Sequence, residues 1–283
     1  MRGLDMREIS GDIIREKVKE AVIKANYEIG EDMLQAFQEA LEREESPVGK
    51  EVLQDLILNA RIAKEECIPY CQDTGLVVVF LELGQDVHIL GGLRESIEAG
   101  VRMGYQEGYL RKSLCDPLSR KNTGDNTPVI IHTQVVPGDT FRLWVVPKGG
   151  GSENMSKVFM LPPSAGVDGI IERVVNTVLE AGPNPCPPTI VGVGIGGNFE
   201  TCALLAKKAL LRPLNSPNPD PQLAQLEERI LERINKTGIG PQGLGGRITS
   251  FGVHILMMPC HIASLPLGIN IQCHANRHRE IVL

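Results

Sequence analysis

Three of the seven cysteines stand where a chain can present a thiolate. Cys71 opens Cys-Gln-Asp-Thr-Gly, a polar turn closed by Gly75 just ahead of an apolar run. Cys202 falls in the first turn of a helix expected after Gly192-Val193-Gly194-Ile195-Gly196-Gly197. There, unpaired N–H groups and the helix dipole favour a thiolate over a thiol. Cys273 follows a strand-like run and begins Cys-His-Ala-Asn-Arg-His, with polar groups packed around it. Three such sulfurs from distant loops suit an iron–sulfur cluster or a zinc site, and spacing alone does not choose between these and free thiols in a core. Cys67, Cys115, Cys186 and Cys260 lack comparable company and read as core cysteines. Pro69 argues against a helix that presents Cys67 and Cys71 together, and no Cys-x-x-Cys pair occurs.

Other groups could bind anions. Gly192-x-Gly194-x-x-Gly197 matches the dinucleotide fingerprint in form, but a proline-rich stretch follows its helix where a second parallel strand ending in an acid should be. Lys148-Gly149-Gly150-Gly151-Ser152-Glu153-Asn154 offers successive backbone N–H groups suited to a carboxylate, or else is an ordinary flexible loop. Arg111, in Leu-Arg-Lys-Ser, and Arg120, just before Asn122-Thr123-Gly124-Asp125-Asn126, place cations beside hydrogen-bonding residues. Arginine's planar fork matches a carboxylate, although single arginines are commonly solvated surface charges. His261 stands in apolar company and taken alone reads as a core histidine.

The elements that must position these residues follow from periodicity. Ile9, Ile13, Ile14, Val18, Val22 and Ala25 recur at helical spacing, as do Met33, Leu34, Phe37 and Leu41, so residues 7–66 read as helices interrupted at Ser46-Pro47. The β-branched run 76–83 predicts a buried strand, followed by a helix over about 92–108. Apolar stretches at 129–136 and 141–146, joined through Pro137-Gly138-Asp139, predict an antiparallel hairpin. Beyond it the pattern predicts a helix over 166–181, a strand over 189–193 and a helix over 199–211. A loop over 212–221 leads to a helix over 222–236, and strands follow near 253–257 and 267–271. No internal repeat is apparent. Helices and strands mix without regular βαβ alternation, which predicts an α/β fold of mixed α+β character: a helical N-terminal region over 1–66, then an irregular mixed sheet carrying the cysteine loops.

Composition excludes several classes. In 283 residues, 42% hydrophobic content supplies a sizeable core, and a formal charge of −6 gives no footprint for a polyanion, so nucleic acid is not an expected partner. No apolar run approaches the roughly 20 residues of a spanning helix. Residues 1–12 carry charges of both signs without an apolar leader, so a cytoplasmic, membrane-free protein with reduced thiols is expected.

Taken together, Cys71–Gly75, Asn122–Asn126, Lys148–Ser152, Gly192–Gly197 and Gly238-Ile239-Gly240-Pro241-Gln242-Gly243 resemble the iron–sulfur-dependent class I fumarate hydratase family, specifically the α subunit of its two-subunit form. The α subunit of L-tartrate dehydratase shares much of this pattern. The likeness runs over nearly the whole chain, which reads as one catalytic domain of this type over 1–283. It implies that Cys71, Cys202 and Cys273 hold a [4Fe–4S] cluster whose fourth iron is open to substrate. It also implies that Gln72, Arg111 and the glycines Gly149, Gly150 and Gly151 bind substrate, with Arg120 as the alternative arginine, and that Asp73 and His261 are candidate catalytic groups. The implied activity is reversible hydration of fumarate to (S)-malate, with L-tartrate dehydration the alternative within enzymes. A cluster-carrying scaffold or iron sensor is the alternative outside them. No convincing base for the C3 proton is found, so a separate β subunit is expected to complete the site, and α–α self-association is expected from the apolar stripes of the N-terminal helices.

Overall fold

The computed structural model describes residues 6–283; residues 1–5, the start of the stretch read as charged and not as a leader, lie outside the described residues. In chain order, β1 (Arg7–Ser10), α1 (Gly11–Tyr27), α2 (Glu31–Arg43) and α3 (Pro47–Glu65) precede β2 (Leu76–Gly84) and β3 (Val87–Leu90). Then come α4 (Leu93–Glu107), β4 (Ile130–Val136), β5 (Phe141–Lys148), α5 (Gly150–Glu153), β6 (Lys157–Leu161) and α6 (Gly166–Ala181). The last third holds β7 (Thr189–Gly197), α7 (Phe199–Ala209), α8 (Pro221–Asn235), β8 (Ser250–Cys260), β9 (Leu265–Gln272) and β10 (Arg279–Val282). Local chemistry sets the ends: Ser10 caps α1 by accepting the Asp12 N–H, Asn198 caps α7 through Thr201, and Asp220 with Pro221 opens α8.

The chain divides into two compact units, the first made of residues up to Ile29, Ala60–Gly149 and Arg277–Leu283. Its core joins Ile14, Val18 and Val22 of α1 and Ile97, Val101 and Tyr105 of α4 to Val77, Val79 and Leu81 of β2 and Leu143 and Val145 of β5. The sheet runs β10-β5-β2-β4, and a two-stranded parallel pair joins β1 to β3. The expected hairpin is therefore not formed. β4 and β5 are not paired with each other; β2 lies between them, parallel to β4 and antiparallel to β5. The Pro137-Gly138-Asp139 turn is present but steps over the end of β2, whose Gly84 N–H donates to the Thr140 carbonyl at 2.7 Å. A strand buried as continuously as β2 needs a ladder on both edges, and that need overrides turn chemistry.

The second unit comprises Gly30–Asn59 and Gly150–Asn276, with its own core of Ile170, Val174 and Val178 from α6, Ile230 and Ile234 from α8, and the inward residues of β7, β8 and β9. Its sheet runs β6-β9-β7-β8, with β7 parallel to β8 and antiparallel to β9. The order matches the first sheet: a central buried strand, a helical crossover to a parallel neighbour, then a short link across to an antiparallel strand on the other side. The sequence shows no repeat, yet the topology repeats, because hydrophobic pattern and crossover define it without shared residues. Both sheets are mixed, as the α/β expectation required. Strands β1, β3, β6 and β10 are additions to the predicted set; each has only four or five residues, too few for periodicity to register. The N-terminal region is helical apart from β1.

Candidate active site

In the first unit the Cys71 turn is fixed from several sides. Gly75 has φ +76°, and a Cβ there would sit 2.7 Å from the Lys148 carbonyl, so this position admits only glycine. Asp73 Oδ1 accepts the Gly75 N–H at 3.1 Å, and Cys71 Sγ accepts the Asp73 N–H at 3.4 Å. The buried Tyr105 hydroxyl donates to the carbonyls of Thr74 and Gly75. Its phenol is held well above its ordinary range, chiefly by burial. Asn126, fully buried and in the left-handed region at φ +62°, accepts the Ser113 and Leu114 amides and donates to the Gly75 carbonyl. Its neighbour Asp125 is pushed up by burial but ends below the usual carboxylate range, because the Thr127 amide and hydroxyl and the Arg102 guanidinium outweigh that cost.

These contacts place Arg111. The Thr74 hydroxyl donates to the Arg111 carbonyl, and the Arg111 side chain reaches back to Asp73, Nη2 to Oδ1, at 3.3 Å. Arg120 stands instead in an exposed turn with its amide on the Asp116 carbonyl. Of the two candidate arginines it is Arg111 that the fold pairs with a candidate site residue. Gln72 is exposed beside Cys71, whose thiol is 3.4 Å from its Oε1. Gly149 ends this unit.

The second unit positions Cys202, Cys273, Gly150, Gly151 and His261. Gly192 and Gly194 lie inside β7, not in a phosphate-binding turn: a Cβ on Gly194 would come 2.1 Å from the Cys202 carbonyl, and one on Gly268 of β9 2.3 Å from the same atom. The glycines let α7 lie flat on the sheet. That close packing buries Cys202 completely, and burial pushes its thiol up; Sγ donates to the Phe199 carbonyl at 3.3 Å. The expectation of a thiolate favoured by the helix terminus is thus corrected, since desolvation outweighs the two amides near the sulfur. Gly150 and Gly151 begin a single helical turn that ends at Glu153. Glu153 pairs with Lys207 of α7 and accepts from Asn270 of β9 at 3.1 Å, tying together the two elements that carry Cys202 and lead to Cys273.

The cysteine environments differ from expectation. Cys67, Cys186 and Cys260 are exposed and Cys115 half-buried, so none of the four read as core is in a core; Cys202 alone of the seven is fully buried. Cys71 and Cys273 are half-buried. His261 is exposed, in the turn between β8 and β9, where its Nδ1 accepts the Ala263 N–H at 3.1 Å, so it is not a core histidine either. Sequence reasoning passed over Tyr105, Asn126 and Arg277 as individual groups. Asn126 alone carried a readable signal, its place in the Asn-Thr-Gly-Asp-Asn motif.

None of the seven cysteines is in a disulfide, and thiolates are the ligands of iron–sulfur clusters, so the chemistry of Cys71, Cys202 and Cys273 fits such a group. Among the described residues no three His, Cys, Asp or Glu side chains already form a metal site. Metal binding supplies both the deprotonation and the ordering of such ligands.

A putative L(+)-tartrate dehydratase subunit alpha of Methanocaldococcus jannaschii is 42% identical over 94% of each chain. The L(+)-tartrate dehydratase subunit alpha of Escherichia coli K12 is 32% identical over 89% of this chain and 85% of its own length. The family model for fumarate hydratase (Fumerase) matches residues 15–282, spanning both units, and the chain therefore belongs to the fumarate hydratase family of hydro-lyases.

Proposed function

We propose that the chain is the α subunit of an iron–sulfur hydro-lyase that interconverts fumarate and (S)-malate, with Cys71, Cys202 and Cys273 holding one [4Fe–4S] cluster. The observation that carries the reading is the Arg111–Asp73 pair beside Cys71, built by the same Cys-Gln-Asp-Thr-Gly and Asn-Thr-Gly-Asp-Asn motifs that carry the family likeness. Removing water from a 2-hydroxy diacid requires help for a poor leaving hydroxide and for the charge that develops on the carboxylate as the C3 proton leaves. When bound, an open-site cluster supplies Lewis acidity at an exposed iron.

The chain's own residues do the rest. Arg111 binds a substrate carboxylate through its fork, and Asp73 orients that fork. Gln72 offers its amide, and the backbone N–H groups of Gly149, Gly150 and Gly151 offer further donors to carboxylate oxygens. His261 accepts the Ala263 amide at Nδ1, so Nε2 is the ring nitrogen left to donate to substrate. A β subunit completes the enzyme; the relatives' description as subunit alpha supports such a partner. Self-association of α belongs to the same reading, supported by Val48, Leu58 and Ile62, which α3 leaves exposed.

L-tartrate dehydration is the second reading, favoured by the relatives' names. Ser152-Glu153-Asn154 and the Cys202 context resemble the fumarase versions, but Glu153 serves as a scaffold tie and says little about substrate. Assays of the anaerobically reconstituted, partner-complete enzyme on fumarate and on L-tartrate decide: preference for L-tartrate overturns the first reading, and inactivity on both leaves the scaffold or sensor.

A further inference from the structure

Arg277 is among the largest fully buried side chains of the protein, with 1% of its surface exposed. Its Nη1 donates to Asn26 Oδ1 at 3.3 Å, and its Nε has no partner among the described residues. A neutral amide does not balance a guanidinium withdrawn from water, so a carboxylate is needed nearby. One is present. Nη2 of Arg277 lies 3.6 Å, and Oδ2 of Asp73 3.1 Å, from the point where a Cβ on Gly149 would stand. Both charged groups border the same space, which the glycine leaves open. The buried Tyr105 phenol reports the same neighbourhood, since Arg277 draws its proton affinity down while Asp73 raises it.

We propose that Arg277 is a positioning residue that holds the Asp73 carboxylate from its buried side while Arg111 holds it from the exposed side, with Gly149 kept free of a side chain so that the two can approach. Asp73 Oδ1 is then committed to Gly75 and Arg111, and Oδ2 faces Arg277. The fork of Arg111 is oriented by a carboxylate that cannot swing away. This inference rests on the reading of Asp73 and Arg111 as substrate-pocket residues, and goes beyond it by naming what fixes them.

The test uses the assembled, reconstituted enzyme and five variants, with iron content measured for each. Arg277→Gln should lower kcat/KM for the dicarboxylate roughly tenfold or more at unchanged iron content. Arg277→Lys, which keeps the charge, should recover part of that loss. Gly149→Ala, which leaves both charged side chains in place but fills the space between them, should lower kcat/KM as well, and it serves if Arg277→Gln does not fold. Undiminished kcat/KM in Arg277→Gln, or in Gly149→Ala, overturns the proposal, as does a Lys variant no better than Gln. A second arm needs no turnover: thermal midpoints of Arg277→Gln, Asp73→Asn and the double variant should be non-additive by about 2 °C or more, and additivity overturns the pairing. If the assembled enzyme acts on neither fumarate nor L-tartrate, the functional reading fails, while the melting cycle still decides whether Arg277 and Asp73 act as a pair.

Discussion

Arg111 Nη2 donates to Asp73 Oδ1 across 3.3 Å, although 58% of the arginine side chain is exposed. An ion pair this open to water contributes on the order of 0–1 kcal/mol to stability. Stability is therefore a weak reason to build it, and the buried Asn126 and Tyr105 contacts that hold both ends are more than a surface pair needs. The geometry suits an arginine kept ready for a carboxylate. Arg111→Lys should raise KM for the diacid roughly tenfold or more by losing the bidentate fork, with iron content unchanged and the thermal midpoint shifted by no more than about 2 °C. Unaltered kinetics in Arg111→Ala would shift the role to Arg120.

The cysteine assignment makes a chemical prediction. Anaerobic reconstitution should give about four iron and four sulfide per chain, lost on replacing Cys71, Cys202 or Cys273 by Ser. Cys67→Ser and Cys260→Ser, at exposed positions, should keep the full complement. Cys202 is fully buried, so its variant needs a check by circular dichroism that the fold survives. A cluster retained in Cys202→Ser but abolished in Cys67→Ser would refute the assignment.

Much of this was legible from residue types. The helices at 166–181 and 92–108 were readable because apolar spacing and flanking glycines agree with each other. The hairpin was not, because Pro137-Gly138-Asp139 reports a turn and says nothing of a third strand beneath it. Cys202 could be placed in a helix's first turn, but its complete burial follows from the glycines of β7 and β9, which draw α7 onto the sheet, a packing fact invisible to local pattern. Arg277 was unreadable as a site residue for the same reason: its burial comes from tertiary neighbours, and an arginine in Ala-Asn-Arg-His looks like any surface cation.

Glu44 offers a pH test of the second unit's scaffold. Its carboxylate, 1% exposed, accepts the amides of Glu45, Ser46, Arg247 and Ile248 at 2.8 to 3.0 Å, which ties the α2–α3 corner to the segment before β8. Burial pushes its pKa up, but the four amides outweigh burial and hold it below the ordinary 4.5. A carboxylate depressed in the folded state contributes stability that is present above its unfolded pKa and lost as pH falls through the folded value. Glu44→Gln should therefore cost about 1–3 kcal/mol at pH 7 by denaturant titration. The gap should narrow only below pH 4.5; a gap constant down to pH 3 would show that the charge contributes nothing.

The last prediction concerns the proton at C3 of the substrate. Asp73 Oδ1 is taken by the Gly75 amide and Arg111, and Nδ1 of His261, which could otherwise act as a base, accepts a backbone amide. Both were candidates for proton abstraction, and the contacts of each favour orientation or donation instead. A dehydration that forms an aci-carboxylate still needs a base within hydrogen-bond reach of C3, and the functional reading puts that group on the β subunit. The isolated α chain should then bind its full iron and sulfide yet turn over malate at no more than about a hundredth of the rate of the complete enzyme, since positioned general-base catalysis contributes 10²–10⁴-fold. Adding the partner should restore kcat without changing iron content. His261→Asn, which keeps a donor but no titratable ring, should leave the pH dependence of kcat in the assembled enzyme unchanged if the base lies on the partner. Full turnover by α alone, abolished in Asp73→Asn or His261→Asn, would place the base in this chain after all.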